Sequence, residues 1–224
     1  MLLEVIACSI EDALAAERGG AGRLELVRAL DKGGLTPDLD FAEEVLRKVR
    51  IPVRIMIRES ADYSAGDAAA MERLARAAAR AGALGIDGIV LGFLRDRRID
   101  AAAVNGVLSA APSTNATFHH AFDDLPDPLD AMQSLRGWPQ IDRVLTTGGS
   151  GTWEQKAQRL NAWSTAAPGV TLLAGGGVDL AALRVLANSG APEAHVGRAA
   201  RIPPTATGAV SAQKVAELVE AAGS

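Results

Sequence analysis

Segments of strand length and segments of helical period alternate eight times along the chain, and this alternation constrains the fold more than any other feature. The pattern is typical of repeated βα units. The predicted strands are Leu2–Ala7, Arg23–Leu26, Val53–Ile57, Gly88–Gly92, Ala116–His120, Ile141–Thr146, Thr171–Ala174 and Ala194–Gly197. The predicted helices span 9–18, 38–49, 67–82, 100–110, 127–136, 152–166, 179–189 and 211–222.

The number and spacing of these units predict a closed barrel. Eight units in 224 residues average 28 residues each, which suits a compact (β/α)₈ TIM barrel of roughly 200–250 residues. No linker, charge block or low-complexity tract divides the chain, so residues 1–224 are expected to form a single α/β domain. A doubly wound parallel sheet is the alternative. In a barrel, the active site lies at the carboxyl ends of the strands.

The amino-acid composition excludes several classes of binding partner for this chain. The net charge of −4 and the 4% of aromatic residues argue against nucleic-acid binding. A single cysteine, Cys8, excludes an internal disulfide framework and a multi-thiolate zinc site within one chain. The N-terminal segment has no basic region and contains Glu4 in its apolar run, and no stretch is long and apolar enough for a membrane span. The sequence therefore predicts a cytoplasmic protein that binds a small molecule or a metal.

Polar side chains interrupt the apolar strands, and these interruptions are the first candidates for function. They occur at Glu4, Arg23, Glu25, Arg54, Arg58, Arg143, Thr146 and His195. An ionised group inside a barrel needs a partner or a solvated opening, so we expect Glu4 and Glu25 to face Arg54 or Arg58. A purely structural ion-pair network is an equal alternative for both glutamates. Arg58 ends its strand and is therefore favoured as a ligand contact.

Two adjacent histidines end the fifth predicted strand. Side chains of neighbouring strand residues point to opposite faces, so His119 and His120 are not expected to enter the lumen together. Asp123 follows closely, and a histidine held near a carboxylate could act as a general acid or base or bind a metal. His195 is the remaining histidine that could meet this pair across the barrel. A satisfied structural histidine is the equal alternative for His119.

Glycine-rich turns follow the sixth and seventh predicted strands and precede helices. The second turn is Gly175, Gly176 and Gly177, and Arg198 follows the eighth strand. Backbone N–H groups at such a turn, with a helix N-terminus behind them, can bind a phosphate or carboxylate. Neither turn matches a P-loop or a dinucleotide fingerprint, and tight βα turns also use glycine for steric reasons. Anion binding at Gly175–Gly177 is therefore one of two open interpretations.

The longest polar loop, residues 59–67, follows the third predicted strand and contains Tyr63, the only tyrosine. Loops in this position can close over an active site or remain solvated surface. Both interpretations of this loop stay open.

Motifs distributed along residues 2–201 resemble the CutC copper homeostasis proteins. They include Leu3-Glu4-Val5, Glu17-Arg18-Gly19-Gly20-Ala21-Gly22-Arg23-Leu24-Glu25-Leu26, Gly33-Gly34-Leu35-Thr36-Pro37, Met56-Ile57-Arg58, Thr117-Phe118-His119, Ala121-Phe122-Asp123, Gly175-Gly176-Gly177 and Glu193-Ala194-His195. The resemblance implies a cytoplasmic (β/α)₈ barrel that forms a homodimer or a higher homo-oligomer and takes part in copper homeostasis and Cu(I) binding.

This chain departs from the CutC pattern at positions that matter for copper. Many family members have cysteines where this chain has Ile6 and Val27, and an arginine in place of His120. Thiolates are the natural soft ligands for Cu(I). If copper binds, the available ligands are Cys8, His119 and His195.

Two hypotheses for function follow from these residues. The first is a CutC-type protein of copper homeostasis, with any Cu(I) bound by Cys8, His119 or His195. The second is a barrel enzyme or binding protein for a small phosphorylated or carboxylated metabolite. In that case Glu25, His119 and Asp123 would move protons, while the ligand would be bound by Glu4, Arg23, Arg58, Thr146, Gly175, Gly176, Gly177, His195 and Arg198.

Overall fold

A computed structural model describes residues 1–223 and confirms the predicted barrel. The eight barrel strands are β1 (Leu2–Ala7), β2 (Arg23–Leu26), β3 (Val53–Met56), β4 (Gly88–Leu91), β5 (Asn115–Phe118), β6 (Ile141–Thr146), β7 (Thr171–Ala174) and β8 (Glu193–Val196). The helices are α1 (Ile10–Arg18), α2 (Leu39–Lys48), α3 (Ala68–Ala83), α4 (Ala101–Ala110), α5 (Pro128–Leu135), α6 (Trp153–Ala166), α7 (Leu180–Asn188) and α8 (Ala212–Gly223).

The strands form one parallel ring in chain order. Each strand pairs with the next, and β8 closes the ring by pairing with β1, where Glu4 lies opposite His195. The same residue of β1 lies opposite Arg23 of β2 on its other side. Because the ring is closed, there is no free sheet edge to cover, and the carboxyl ends of all eight strands meet at one mouth.

Local capping signals explain where the helices begin. Helices α1 to α7 each follow a Ser, Asp or Thr whose side-chain oxygen accepts a hydrogen bond from a backbone N–H in the first turn. Such a cap satisfies one of the donors that the first turn leaves without a partner. At α6 the cap is reciprocal, because Thr152 and Gln155 each bond the other's backbone.

The strands divide their side chains between two environments. In β1, Leu3, Val5 and Ala7 join the main apolar core, whereas Glu4 and Ile6 point into the lumen. The alternation continues in the other strands, and it places a second, smaller apolar cluster of Ile6, Val27, Met56 and Val90 inside the barrel. Strand alternation therefore delivers the predicted polar interruptions to the lumen.

A network of ion pairs fills the amino end of the lumen. Arg23 pairs with Glu4 and Glu193, and Arg143 pairs with Glu193 at 2.8 Å. Arg54, which has no exposed side-chain surface, bonds Asp142 at 2.7 Å through one guanidinium nitrogen and Asp87 at 2.7 Å through another. The expectation that Glu4 and Glu25 would face Arg54 or Arg58 is wrong for Glu4, because the closed ring puts Arg23 next to it.

Short elements that the sequence analysis did not predict surround the mouth. Two hairpins pair Leu94–Arg95 with Arg98–Ile99 and Arg201–Ile202 with Ala209–Val210. Turns of 3₁₀ helix occupy Leu30–Lys32, His120–Asp124 and Arg198–Ala200. Within residues 1–223, none of the helices has the length and apolar character that crossing a membrane requires.

Candidate active site

A cavity of about 710 Å³ opens at the carboxyl ends of the strands. Ile6, Val27 and Met56 form an apolar part of its wall. Its ionisable lining residues are Glu25, Asp31, Arg58, Tyr63, His119, His120, Asp123, Asp124, Asp179, His195 and Arg198. A concave site with apolar walls and a few converging polar groups is typical of small-molecule binding, and this one lies where barrel enzymes bind their substrates.

Two buried glutamates flank His195 at the base of the cavity. The Nδ1 atom of His195 lies 2.7 Å from Glu4 Oε1, and its Nε2 atom lies 3.3 Å from Glu25 Oε2. Glu4 also accepts a hydrogen bond from Arg23. The second carboxylate oxygen of Glu25, Oε1, is buried and has no hydrogen-bond partner. Glu25 therefore has one oxygen near His195 and one that is unused.

The two glutamates have opposite acidities although both are buried. Burial raises the pKa of Glu25 to about 7, and the neighbouring Glu4 adds to this effect while His195 opposes it. Burial also raises the pKa of Glu4, but the hydrogen bond from His195 and the charge of Arg23 outweigh burial and hold this pKa at about 2. Such separation within a pair of carboxyl groups is typical of acid–base sites.

His195 lies between these two carboxyl groups, which favour the protonated form of its ring. Burial lowers the pKa of its ring, but the charges of Glu25 and Glu4 and the hydrogen bond to Glu4 outweigh burial and leave the pKa above the ordinary value. A protonated ring donates from both nitrogens. His195 can therefore bond Glu4 permanently and share a proton with Glu25.

His119 is held in the neutral state on another wall of the cavity. Burial lowers its pKa well below the ordinary value, and the positive charges of Arg58 and His120 contribute. Its Nδ1 accepts a hydrogen bond from the backbone N–H of Ala121 at 3.1 Å, so the ring proton must reside on Nε2. That Nε2 is buried without a partner. His119 therefore offers the cavity one neutral N–H donor.

Close packing determines where the His119 ring lies. A Cβ atom at Gly92 would lie 2.5 Å from the ring, so this position at the end of β4 requires glycine. Tyr63 also packs against this ring, with 5.1 Å between the ring centroids, and its backbone has a left-handed φ of 62°. The loop of residues 59–67 thus covers part of the cavity, and the sequence analysis did not identify Gly92.

Arg58 mainly organises the loops around the mouth. Its guanidinium donates to the backbone carbonyls of Ser60 and Ala61 at 2.7 and 2.6 Å and to that of Gly33 at 3.2 Å. It also lies 4.5 Å from the centroid of the Tyr63 ring. These contacts occupy most of its donors, so Arg58 lines the cavity as a fixed positive charge that joins two loops.

His120 also lines the cavity, which corrects the expectation from strand alternation. The strand ends at Phe118, and residues His120–Asp124 form a 3₁₀ turn, so the strand periodicity no longer applies. His120 Nδ1 lies 2.8 Å from Asp123 Oδ2. Asp123 Oδ1 in turn accepts a hydrogen bond from Thr146 Oγ1 at 2.5 Å. The structure therefore pairs Asp123 with His120, whereas the sequence analysis left open which histidine would be held near this carboxylate.

Four predicted ligand contacts do not line the cavity. Glu4 and Arg23 lie in the ion network below it, and Thr146 serves to position Asp123. Gly175 is buried, and a Cβ atom there would lie 2.5 Å from Leu145, so its glycine is explained by packing. A polar residue in an apolar strand is therefore recognised from the sequence, but the sequence does not show whether that residue lies below the cavity or faces it.

The other residues of the glycine turn and Arg198 do lie at the rim. Gly176 and Gly177 line the cavity with left-handed φ values of 78° and 93°, and within the described chain their N–H groups bond no carbonyl or side chain. Arg198 is exposed and lines the same part of the mouth. These groups are available to a ligand.

The donor groups at this site do not fit Cu(I). Within residues 1–223, one set of three potential metal-binding side chains has its ligand atoms within 4.8 Å of one another, and it consists of Glu4, Glu25 and His195. Cu(I) prefers thiolate and thioether sulfur, whereas this set supplies two carboxylates and one imidazole. The predicted set of Cys8, His119 and His195 does not assemble.

Cys8 is separate from the cavity lining. Its sulfur accepts a hydrogen bond from Arg201 at 3.6 Å. Burial raises the pKa of the thiol, although the charge of Arg201 opposes the effect. A thiol of this kind is a poor metal ligand, because the thiolate is the form that binds metals.

Comparison with known proteins identifies the family. The CutC family profile matches residues 1–200. The chain belongs to the CutC family. A family protein CutC from Xanthomonas axonopodis pv. citri is 36% identical over 198 residues, which cover 87% of this chain and 82% of that protein. The human copper homeostasis protein cutC homolog is 36% identical over 200 residues, covering 87% of this chain and 72% of the human protein.

Solved structures agree with this assignment. A CutC crystal structure from Streptococcus agalactiae superimposes with a TM-score of 0.79 at 26% identity, covering 88% of this chain and 98% of that one. Thiamine phosphate pyrophosphorylase from Pyrococcus furiosus superimposes with a TM-score of 0.60 at 14% identity, which shows a shared fold alone. The CutC family thus has the same barrel, and copper homeostasis is the role named for its human and mouse members.

Proposed function

We propose that this chain is an enzyme that moves a proton at the carbon next to a carbonyl group in a small polar substrate. One observation carries the proposal. Of three buried side-chain atoms without a hydrogen-bond partner in residues 1–223, two belong to cavity residues, namely the acceptor Glu25 Oε1 and the donor His119 Nε2. Buried polar groups are normally satisfied, so an unused acceptor and an unused donor in two residues that line one cavity point to a substrate bound there.

Glu25 has the properties of the general base. A catalytic base works best when its pKa is near the operating pH, and burial raises the pKa of Glu25 to about 7. Oε1 would remove the proton from carbon, and the electron pair of the broken C–H bond would form the carbon–carbon double bond of an enol. His195 lies next to Glu25 Oε2. It remains in contact with Glu25 both before Glu25 takes up this proton and after.

His119 has the properties of the group that stabilises the developing negative charge. As the C–H bond breaks, charge accumulates on the carbonyl oxygen, and a fixed N–H donor in a water-poor site stabilises it. A neutral imidazole suits this role, because its N–H remains a donor and is not lost as a proton to the substrate. When the proton returns to the carbon from which it came, the carbonyl group reforms and no atom is gained or lost.

The rim provides the contacts for the rest of the substrate. We assign Gly176, Gly177 and Arg198 to binding its oxygen atoms, and Arg58 to supplying a fixed positive charge beside them. A phosphate or carboxylate substituent would lie against the N–H groups of Gly176 and Gly177 and near Arg198. Carboxylates at the same rim, including Asp31 and Asp179, limit how much negative charge the site accepts.

Hydrogen exchange at carbon tests the proposal directly. In D₂O, the purified protein is expected to accelerate exchange of the C2 proton of D-glyceraldehyde or D-erythrose, measured by proton NMR. His119→Phe keeps the ring volume but removes the donor, so we expect the rate to fall by about 10²–10³-fold. D-glyceraldehyde 3-phosphate, compared with D-glyceraldehyde, tests the anion contacts at the rim.

The control for His119→Phe is Glu72→Gln, which changes an exposed residue of α3 and should leave the exchange rate unaltered. Thermal unfolding of each variant separates a catalytic defect from a folding defect. If the wild-type protein exchanges none of these protons, or if His119→Phe exchanges them at the wild-type rate, the assignment of His119 and the proposed chemistry are wrong.

Cu(I) binding is a separate prediction with its own measurement. Because the assembled donor set lacks sulfur, reduced protein titrated with Cu(I) against a colorimetric chelator is expected to retain no stoichiometric copper. Cys8→Ser and His119→Ala should behave like the wild type in this titration. One Cu(I) held per chain against the chelator, and released by either substitution, would instead support a copper site at the mouth.

A further inference from the structure

A second histidine and carboxylate pair lies in the cavity apart from Glu25 and His195. His120 bonds Asp123 through Nδ1 at 2.8 Å, and its Nε2 makes no hydrogen bond within the described chain. The ring lies against the turn after β7, because a Cβ atom at Gly175 would lie 3.4 Å from Nε2 and one at Gly176 would lie 3.4 Å from Cε1. The side chain of His120 is 30% exposed, so Nε2 can exchange protons with water.

Asp123 is firmly held in this pair. Its carboxylate accepts hydrogen bonds from Thr146 Oγ1 at 2.5 Å and from the backbone N–H of Thr147 at 3.1 Å. Burial raises the pKa of Asp123, but the hydrogen bonds from His120 and Thr146 outweigh it and leave the pKa below the ordinary value. An ionised carboxylate on Nδ1 orients the imidazole, so that Nε2 points away from Asp123.

The barrel places this pair opposite Glu25. Glu25 belongs to β2, whereas Asp123 is bound to the last residue of β6 and His120 lies against the turn after β7. In a closed ring of eight strands in chain order, β6 is four strands from β2 and faces it across the lumen. His119, at the end of β5, extends towards Tyr63 and Gly92 between these two sides. A substrate bonded to His119 would thus have Glu25 on one side and His120 on the other.

From this arrangement we infer that His120 is a second proton-transfer group, and that the enzyme inverts the configuration of the carbon it deprotonates. The inference rests on the proposed function and adds the stereochemical class of the substrate, a carbonyl compound with a hydrogen-bearing stereocentre next to the carbonyl. Glu25 alone could only return a proton to the face from which it came. Two groups on opposite faces interconvert the two epimers.

The reaction balances with these two groups. Glu25 removes the proton from one face, and the electron pair of the C–H bond passes into the enolate, whose oxygen is bonded by His119 Nε2–H. The Nε2–H of protonated His120 then gives its proton to the opposite face of the same carbon, and the carbonyl reforms. Glu25 is left protonated and His120 neutral. In this state the product epimer can react in the opposite direction, or proton exchange with water restores the starting state.

The experiment uses D- and L-glyceraldehyde separately in D₂O, with the product configuration resolved by chiral chromatography and the C2 deuterium measured by NMR. The wild-type protein is expected to convert each enantiomer to the other, with deuterium at C2 of the product. In His120→Gln, one enantiomer should still exchange its C2 proton with retention. Exchange of the other and interconversion should fall by at least about 100-fold.

Asp123→Asn tests the positioning of His120. An amide can donate to Nδ1 and stabilise the wrong tautomer. We therefore expect the result given for His120→Gln, in which only one enantiomer exchanges its C2 proton. A loss of folding would instead abolish exchange of both enantiomers. Asp130→Asn makes the same chemical change at an exposed residue of α5 and should preserve interconversion of both enantiomers.

The remaining outcomes separate the two proposals. Exchange with retention only, or conversion to dihydroxyacetone without the opposite enantiomer, would overturn the role of His120 and leave the proposed function supported. Full interconversion in His120→Gln would overturn the role of His120 as well. If the wild-type protein exchanges neither enantiomer, the proposed function itself is overturned, and the second proton-transfer group with it.

Discussion

Glu25→Gln is expected to slow exchange of the substrate proton by about 10²–10⁴-fold, the usual contribution of a general base. Glutamine has nearly the same shape as glutamate but cannot accept a proton at neutral pH. In the wild type, the rate should rise as the pH increases through about 7, because Glu25 must be ionised to act and burial raises its pKa to about 7. The measurement is the initial rate of C2 exchange between pH 5 and 9.

The same substitution should make the fold more stable at high pH. Glu25 titrates near its ordinary value of 4.5 in the unfolded chain but near 7 in the folded one. The folded state therefore binds more protons across this interval, so stability falls as the pH rises from 4.5 to 7. Each pKa unit corresponds to about 1.4 kcal/mol. Glu25→Gln avoids this loss, and above pH 7 it should gain up to about 3 kcal/mol relative to the wild type.

Urea unfolding at pH 5 and pH 8.5 measures this change in the free energy of unfolding. Glu72→Gln, at an exposed position of α3, is the matched control, and its stability should depend on pH as that of the wild type does. A loss of activity together with a gain of stability would show that the buried carboxylate is retained for chemistry. A variant that loses stability at pH 8.5 would contradict the raised pKa and would make Glu25 part of the structural network.

Arg23→Met is expected to lower the free energy of unfolding by about 3–5 kcal/mol, because it removes the shared partner of two buried carboxylates. Arg23 is 2% exposed and bonds Glu4 and Glu193, whose side chains are 1% and 8% exposed. After the substitution, each glutamate keeps only one other partner, His195 or Arg143. Chemical unfolding at pH 7 gives the value.

The control for Arg23→Met is Arg47→Met on α2. Arg47 also pairs with a glutamate, Glu43, but their side chains are 68% and 40% exposed, and an exposed pair of this kind is worth at most about 1 kcal/mol. If the two substitutions had similar effects, the network at the amino end of the lumen would contribute little to the stability of the barrel.

Local chemistry made much of this fold predictable. Alternating strand and helix segments placed the elements close to their observed bounds, and local caps such as Ser9 and Asp67 explain where the helices begin. Strand alternation also identified Glu4, Glu25 and His195 as lumen residues, because the side-chain direction in a strand depends only on its own backbone. The motifs resembling CutC proteins pointed to the family that the comparisons then identified.

The pairing of the lumen charges depended on the tertiary structure. Sequence alternation could not show that Glu4 meets Arg23 and His195, because the partner of a side chain depends on strand register and on the closing of β8 against β1. For the same reason, only the structure separated the residues below the cavity from those that face it.

The direction of the two adjacent histidines was also decided by the tertiary structure. Strand alternation admits only one of them to the lumen, but the strand ends at Phe118 and a 3₁₀ turn directs His120 inward as well. The sequence by itself thus determined the barrel and several of the polar residues inside it, such as Glu4, Glu25 and His195, whereas Glu193 and Asp142 of the ion network were missed. Contacts between distant segments decided which buried polar atoms are satisfied by neighbours and which, among them Glu25 Oε1 and His119 Nε2, have no hydrogen-bond partner in residues 1–223.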